Sequence, residues 1–307
     1  MESRQIKKIS SRNTIRKFLN KENTAGVICT LPFTVGFLMF LVIPMAISAY
    51  YAFCNFNILS APVWTGLENF RMIKADPKFW QSLRVTMLYA VVSVPIKLAF
   101  ALLVAEILLR PSRFSGIYRA VYYFPSIIGG SVAVSVLWKR MFASNGSFNA
   151  ILQSVGVKCN ISWLGNVNTA IWILVLMTVW QFGSSMLIFL AALKQIPITL
   201  YEAARVDSAN CFQQFFRITL PMLTPTIFFN LVMGIINGFL AFNQSYIITQ
   251  GKPLNSTLFY TVYMYQQSFE FYKTGYASAM AWVMLIIISS FTLILFATKK
   301  LWVYEEG

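Results

Sequence analysis

VTMLYAVVSVPIKLAFALLVAEILL, residues 85–109, carries only two charged side chains, Lys97 and Glu106. A helix over this stretch is about 37 Å long at 1.5 Å per residue, more than the roughly 30 Å hydrocarbon core of a bilayer. Five more apolar stretches of similar length surround it, at about 25–53, 118–138, 169–193, 222–248 and 277–298. Together they predict an all-α polytopic membrane protein with about six transmembrane helices. The first stretch is too long for the apolar region of a cleaved signal, and further spans follow it, so it reads as a retained span. Pro32, Gly36 and Pro44 interrupt it, as membrane helices tolerate.

Composition supports lipid as the solvent. The 307 residues are 57% hydrophobic and only 11% charged, against about 25% charged in soluble domains. Mean hydropathy is +0.63. The aromatic share of 16% suits lipid-facing surfaces and interfacial belts. There is no histidine, which removes the commonest metal ligand and the commonest general base. The four cysteines, Cys29, Cys54, Cys159 and Cys211, form no C-x-x-C pair, so no zinc or redox motif is present.

The net charge of +15 follows the loops, without the long basic run that nucleic-acid binding would favour. Seven Lys/Arg lie in residues 1–24; Arg110, Arg113 and Arg119 follow the second span, and Lys194, Arg205 and Arg217 the fourth. Lys299 and Lys300 close the sixth. The opposite side collects Arg71, Lys74, Lys78, Arg84, Lys139, Arg140, Lys158, Lys252 and Lys273. The richer side is expected to be cytoplasmic, with both termini inside. Residues 1–24 then form a basic cytoplasmic segment and 25–307 one transmembrane domain. Cys54 and Cys159 fall on the outer side, where a disulfide is open; four unpaired thiols is the simpler reading.

One cytoplasmic loop is unlike a linker. KQIPITLYEAARVDSANCFQQFFRITLP, residues 194–221, is amphipathic. Pro197 ends the fourth helix, and Thr199 stands three residues before Glu202, a capping-box spacing for a new helix. A second short helix is expected to carry Phe212, Phe215, Phe216 and Thr219 on one face, with Pro221 marking entry to the fifth span. Small residues at Ala203, Ala204 and Ala209 would let another protein approach the backbone closely. A generic amphipathic loop would merely rest on lipid.

The particular residues go further. Glu202-Ala203-Ala204, then Asp207-Ser208-Ala209, then Ile218, Leu220 and Pro221 resemble the E-A-A, D-G-A and I-x-L-P signature of ABC importer permeases. Ser208 departs from the family's usual glycine, which suits a bend with φ above zero. The resemblance is closest to maltose-type carbohydrate permeases of the larger-permease class. It extends through LPFTVGFLMFLVIP (31–44), TGLENF (65–70), YRAVYYFPSIIGGSVAVSVLW (118–138), LIFLAALKQIP (187–197) and GYASAMAW (275–282). It implies a coupling helix docked in a cytoplasmic ATPase dimer, a second homologous permease, and an extracellular solute-binding protein. It places the chain in a bacterial or archaeal plasma membrane. The chain has no G-x-x-x-x-G-K-[ST] loop, so ATP and Mg are expected on the partner ATPase, and no cofactor and no catalytic activity on this chain.

Polar residues within spans are costly and often line a path. Gln181, Asn237, Phe242, Asn243, Gln244 and Tyr246 offer amides and aromatics suited to a sugar; the alternative is interhelical packing. Asn230, Asn237 and Gln244, spaced by seven, share one helix face. Lys97 and Glu106 read more simply as snorkelling or paired charges, Glu106 with Arg110. ITQGKPLNST, residues 248–257, resembles a family loop that faces the binding protein or caps the cavity; a plain Gly/Pro turn is the other reading. A gradient-driven transporter would leave the E-A-A loop unexplained, and a membrane enzyme would want an acid or His cluster that the sequence lacks.

Overall fold

The computed structural model describes residues 22–110, 113–156 and 161–304. The basic residues 1–21 and Cys159 lie outside this set, and with them the readings for the N-terminal segment and the Cys54–Cys159 bridge. Among the described residues, four helices are long and apolar enough to span a membrane, and two bent helix pairs bring the number to six.

The first span is α1 (Glu22–Phe37), one π turn (Leu38–Val42) and α2 (Ile43–Ala52). Proline has no N–H to bond the carbonyl four residues back. The helix passes Pro44 by widening just before it, with Ile43 N–H reaching Leu38 O. A two-stranded antiparallel ribbon follows, β1 (Cys54–Asn55) with β2 (Val63–Trp64), pairing Cys54 with Trp64 and Asn55 with Val63. The sequence reading held no strands. Asn69, from α3 (Glu68–Ala75), donates to the carbonyls of Ala52 and Cys54 at 2.9 Å each and fixes the ribbon to the first span.

The second span, α4 (Pro77–Leu109), begins eight residues before the expected 85, N-capped by Asp76 accepting from Lys78 N–H at 2.9 Å. It is the hub of the bundle. In its most apolar window 39% of residues are buried, against none in the first span. The first span instead turns residues such as Phe33 and Phe40 outward, which suits a helix solvated by lipid.

The third stretch is sharply broken. α5 (Ser115–Ile128) and α6 (Val132–Met141) meet at 96°, where the sequence predicts one helix. Gly129-Gly130 supplies the break. Helix α7 (Ser147–Ser154) follows. The fourth span is α8 (Val167–Trp180) and α9 (Gly183–Leu193), bent by 43°. The two breaks meet. A Cβ on Gly129 would stand 2.4 Å from the Gln181 side chain, and one on Gly183 would stand 2.4 Å from Tyr122 O. Ser126 Oγ donates to Gln181 O at 3.0 Å and accepts from Ser184 N–H at 3.1 Å.

The loop after the fourth span holds α10 (Ile198–Val206) and α11 (Cys211–Gln214). Helix α11 is not the separate helix expected. It runs through a π turn (Phe215–Thr219) into α12 (Leu220–Phe239) and a further π segment (Gln244–Thr249), one helical unit over Cys211–Thr249. The turn lies just before Pro221, as the first lies before Pro44, and Pro221 stands in the first turn of α12. The short α13 (Tyr260–Tyr265) extends as a π turn (Gln266–Glu270), and α14 (Thr274–Trp302) is the last span. Helix α4 packs on α8, α9, α12 and α13, and α14 packs on α2. Tyr304 N–H donates to Thr224 Oγ1 at 2.8 Å, so the C-terminal end lies at the same end of the bundle as the 194–221 loop.

Candidate functional site

Two features stand at opposite ends of one helical unit. The first is the 194–221 loop. Pro197 holds the extended backbone before α10 (φ −60°, ψ 131°) and provides no side-chain cap. The Thr199–Glu202 spacing therefore does not form a capping box, because both residues already lie inside the helix. The box is at Asn210 and Gln213, where each side chain binds the other's backbone N–H at 2.8 Å. Helix α10 ends in a Schellman motif: Ala209 N–H reaches Ala204 O at 2.9 Å and Ser208 N–H reaches Arg205 O at 3.0 Å. Ser208 takes φ +59°, the conformation glycine adopts without a Cβ penalty. The bend is thus kept with serine in place.

Glu202, Ala203, Asp207 and Ser208 are exposed, and Ala204, Ala209, Ile218 and Leu220 are half-buried. Pro221 is half-buried at the start of α12. Apolar side chains on the same loop also stand unpartnered: Val206 is 84% exposed and Phe212 77%. Thr219, by contrast, is buried. Tyr201 Oη and Thr219 Oγ1 share a hydrogen bond of 2.8 Å, which ties α10 to the foot of the fifth span.

The second feature is a cavity of about 470 Å³ between α4, α8, α9 and α12. Asn230, Asn237 and Gln244, the residues spaced by seven, all line it, as do Gln181, Ser184 and Ser185. From α4 come Tyr89, Ser93 and Lys97. Their four-residue spacing puts them on one helix face, the signal by which the sequence could have grouped them. Tyr89 Oη is hydrogen-bonded to Thr178 Oγ1 beside the cavity. Lys97 therefore stands mid-helix on the face of α4 that lines the cavity, far from either helix end. Phe242, Asn243 and Tyr246 lie off this cavity. Phe242 stacks on Tyr246 with centroids 4.9 Å apart, both rings contact Tyr265, and Asn243 Nδ2 donates to Gly130 O at 3.1 Å. Helix α12 stops at Phe239 and the next helical segment begins at Gln244, so the positions of these three are set by the break and not by the α12 face that carries Asn230 and Asn237. Glu106 and Arg110 line a small pocket near the loop end, and Glu106 Oε2 is buried without a hydrogen-bond partner.

The segment 248–257 is more than a plain turn. Thr257 Oγ1 donates to Thr249 Oγ1, Thr257 O accepts from Ser245 Oγ, and Leu254 is left 81% exposed at the tip. Gln81 Nε2 donates to Leu254 O at 2.9 Å. Nearby, the Asp76 carboxylate accepts hydrogen bonds from the hydroxyls of Tyr263 and Tyr276, joining α4, α13 and α14. Partial burial works to raise the Asp76 carboxyl. Donation from the two tyrosines and from the backbone of Lys78 and Phe79 outweighs it and holds the group below its ordinary value.

Comparison with known proteins identifies the family and the fold. Residues 78–301 match the family described as binding-protein-dependent transport system inner membrane component. The chain is 51% identical over 292 residues to the probable ABC transporter permease protein YesP of Bacillus subtilis (strain 168), covering 94% of each chain. It is 31% identical to the probable starch degradation products transport system permease protein AmyD of Thermoanaerobacterium thermosulfurigenes, over 88% of this chain and 92% of that one. Its fold is similar to a chain of a bacterial alginate ABC transporter crystallised with an alginate pentasaccharide-bound periplasmic protein, with TM-score 0.80, 20% identity and coverage of 92% and 96%. With the family match spanning the hub helix, the loop and the cavity, the chain belongs to the inner membrane components of binding-protein-dependent transport systems and is a permease subunit.

Proposed function

We propose that this chain conducts a carbohydrate or carbohydrate-like solute inward across a bacterial or archaeal plasma membrane, by alternating access powered by ATP hydrolysis on other subunits. One observation carries the reading. The unit Cys211–Thr249 has its foot tied to α10 through Tyr201 and Thr219, while the same unit presents Asn230, Asn237 and Gln244 to the cavity. A push on α10 is thereby transmitted to the cavity wall without an intervening flexible linker.

In this reading both termini face the cytoplasm. Glu202, Ala203, Ala204, Asp207, Ser208 and Ala209 form the surface docked in an ATPase dimer, and Ile218, Leu220 and Pro221 carry the motion into the span. ATP and Mg act on that partner. A second homologous permease completes the path, and an extracellular solute-binding protein delivers the cargo, with the exposed tip at Leu254 on the delivering side. Gln181, Asn237 and Gln244 supply hydrogen bonds of the kind sugar hydroxyls take. The names of the relatives, which include starch-degradation and lactose transport systems, support a sugar cargo.

The test uses the complex purified from its native membrane by a tag on this chain. A second permease and an ATPase should co-purify. Glu202→Lys and Ala204→Asp should leave insertion intact and abolish hydrolysis stimulated by the binding protein. Unchanged coupling in both variants, or recovery of this chain alone with gradient-driven uptake in vesicles lacking ATP, would overturn the reading.

A further inference from the structure

The cavity wall contains one charge that the coupling scheme leaves unused. Among the described residues lining it, Lys97 is the only charged one, and no carboxylate shares the wall. Its ammonium makes no hydrogen bond or ion pair with any described residue of this chain. Lys97 lies about 20 Å of helix away from Arg110 at the loop end, so its own stem cannot carry the charge to the interface. A lone cation at this depth is costly and calls for a counter-charge.

Resting on the importer reading above, we propose that Lys97 reads the charge of the cargo: the solute is an anionic carbohydrate, a sugar bearing a carboxylate or phosphate group. The surrounding groups divide the labour. Asn230, Asn237, Gln244 and Gln181 present neutral amides to hydroxyls, and Ser93, one turn from Lys97 on α4, adds a hydroxyl. A single ammonium on a flexible stem attracts an anion without the bidentate grip of arginine. That suits a site that must release what it binds.

The test reconstitutes the full complex in liposomes and measures ATP-driven uptake of di- and trisaccharides as uronates, as sugar phosphates, and as the neutral counterpart of each, carboxyl-reduced or dephosphorylated. One anionic form should enter about ten-fold faster than its neutral counterpart or better, and the comparison of uronate with phosphate identifies the anion. Lys97→Gln should slow that form about ten-fold, with Lys97→Arg restoring most of the rate. Preference for the neutral forms, or anionic uptake unchanged in Lys97→Gln, overturns the proposal while leaving the importer reading standing. So does a Lys97→Gln chain that fails to assemble while Lys97→Arg assembles and moves neutral sugars, because Lys97 then pairs with the second permease. No ATP-driven uptake of any form overturns the importer reading itself.

Discussion

At one end of the bundle Asp76 joins three helices, Asn69 pins the ribbon to the first span, and Thr86 Oγ1 accepts from Tyr260 N–H at 2.8 Å. At the other end α10 stands out from the bundle with Val206 and Phe212 uncovered, tied back by Tyr201. The first end ties its helices and ribbon together through hydrogen bonds within the chain. The second leaves apolar surface open, as a subunit does where another protein completes it. Because α10 is tied to the bundle by few bonds, changes on its exposed face should be felt in coupling before they are felt in folding.

The thermal stability of the solubilised chain separates the two ends. The largest effect is expected at Gly275, in the GYASAMAW stretch, where a Cβ would stand 2.2 Å from Cys54 O. Gly275→Val should cost about 3 kcal/mol or more, because the obstacle is backbone. A variant as stable as the parent would mean that the ribbon is not seated on α14. Asp76→Asn keeps a helix cap but weakens both tyrosine bonds, an expected loss of about 2 kcal/mol. The same carboxylate gives a pH signature. Its folded value is depressed, so its contribution is complete above the unfolded value of about 3.9 and fades as pH falls through the folded one. Asp76→Asn should remove that acid limb from the stability profile, and an unchanged limb would assign it elsewhere.

Smaller changes belong to the loop. Ser208→Gly relieves a left-handed serine and should gain about 0.5–1 kcal/mol after the added chain entropy of glycine, with stimulated ATP hydrolysis retained. Val206→Ser should move stability by less than about 0.5 kcal/mol yet reduce stimulated hydrolysis. A large destabilisation there would erase the contrast between the ends.

Much of this was open to sequence reading, for identifiable reasons. Long apolar runs locate spans because lipid tolerates little else, and the charge bias of the loops grouped their ends. Asn230 and Asn237 fell on one face because two turns of α12 separate them, and Gln244 rejoins that face across the break after Phe239. What escaped were features decided by tertiary contact. The 96° break after Ile128 depends on Gly129 closing on Gln181, a pairing across more than fifty residues. The Thr199–Glu202 spacing fits a capping box, but the helix starts at Ile198, and spacing alone does not place the start. Lys97 looked like a charge to be hidden, because one helix viewed alone has no cavity.

The π turn at Phe215–Thr219 is also a phase-setting spacer. Each residue advances a helix by about 100°, so the extra residue in a π turn fixes the angular setting of everything beyond it relative to α10. Removing one residue there would rotate Asn230, Asn237 and Gln244 together, turning the amide face from the cavity while leaving every side chain in place in the sequence. A single insertion or deletion at this turn would thus change which face the helix shows the cavity, with no substitution in the cavity at all.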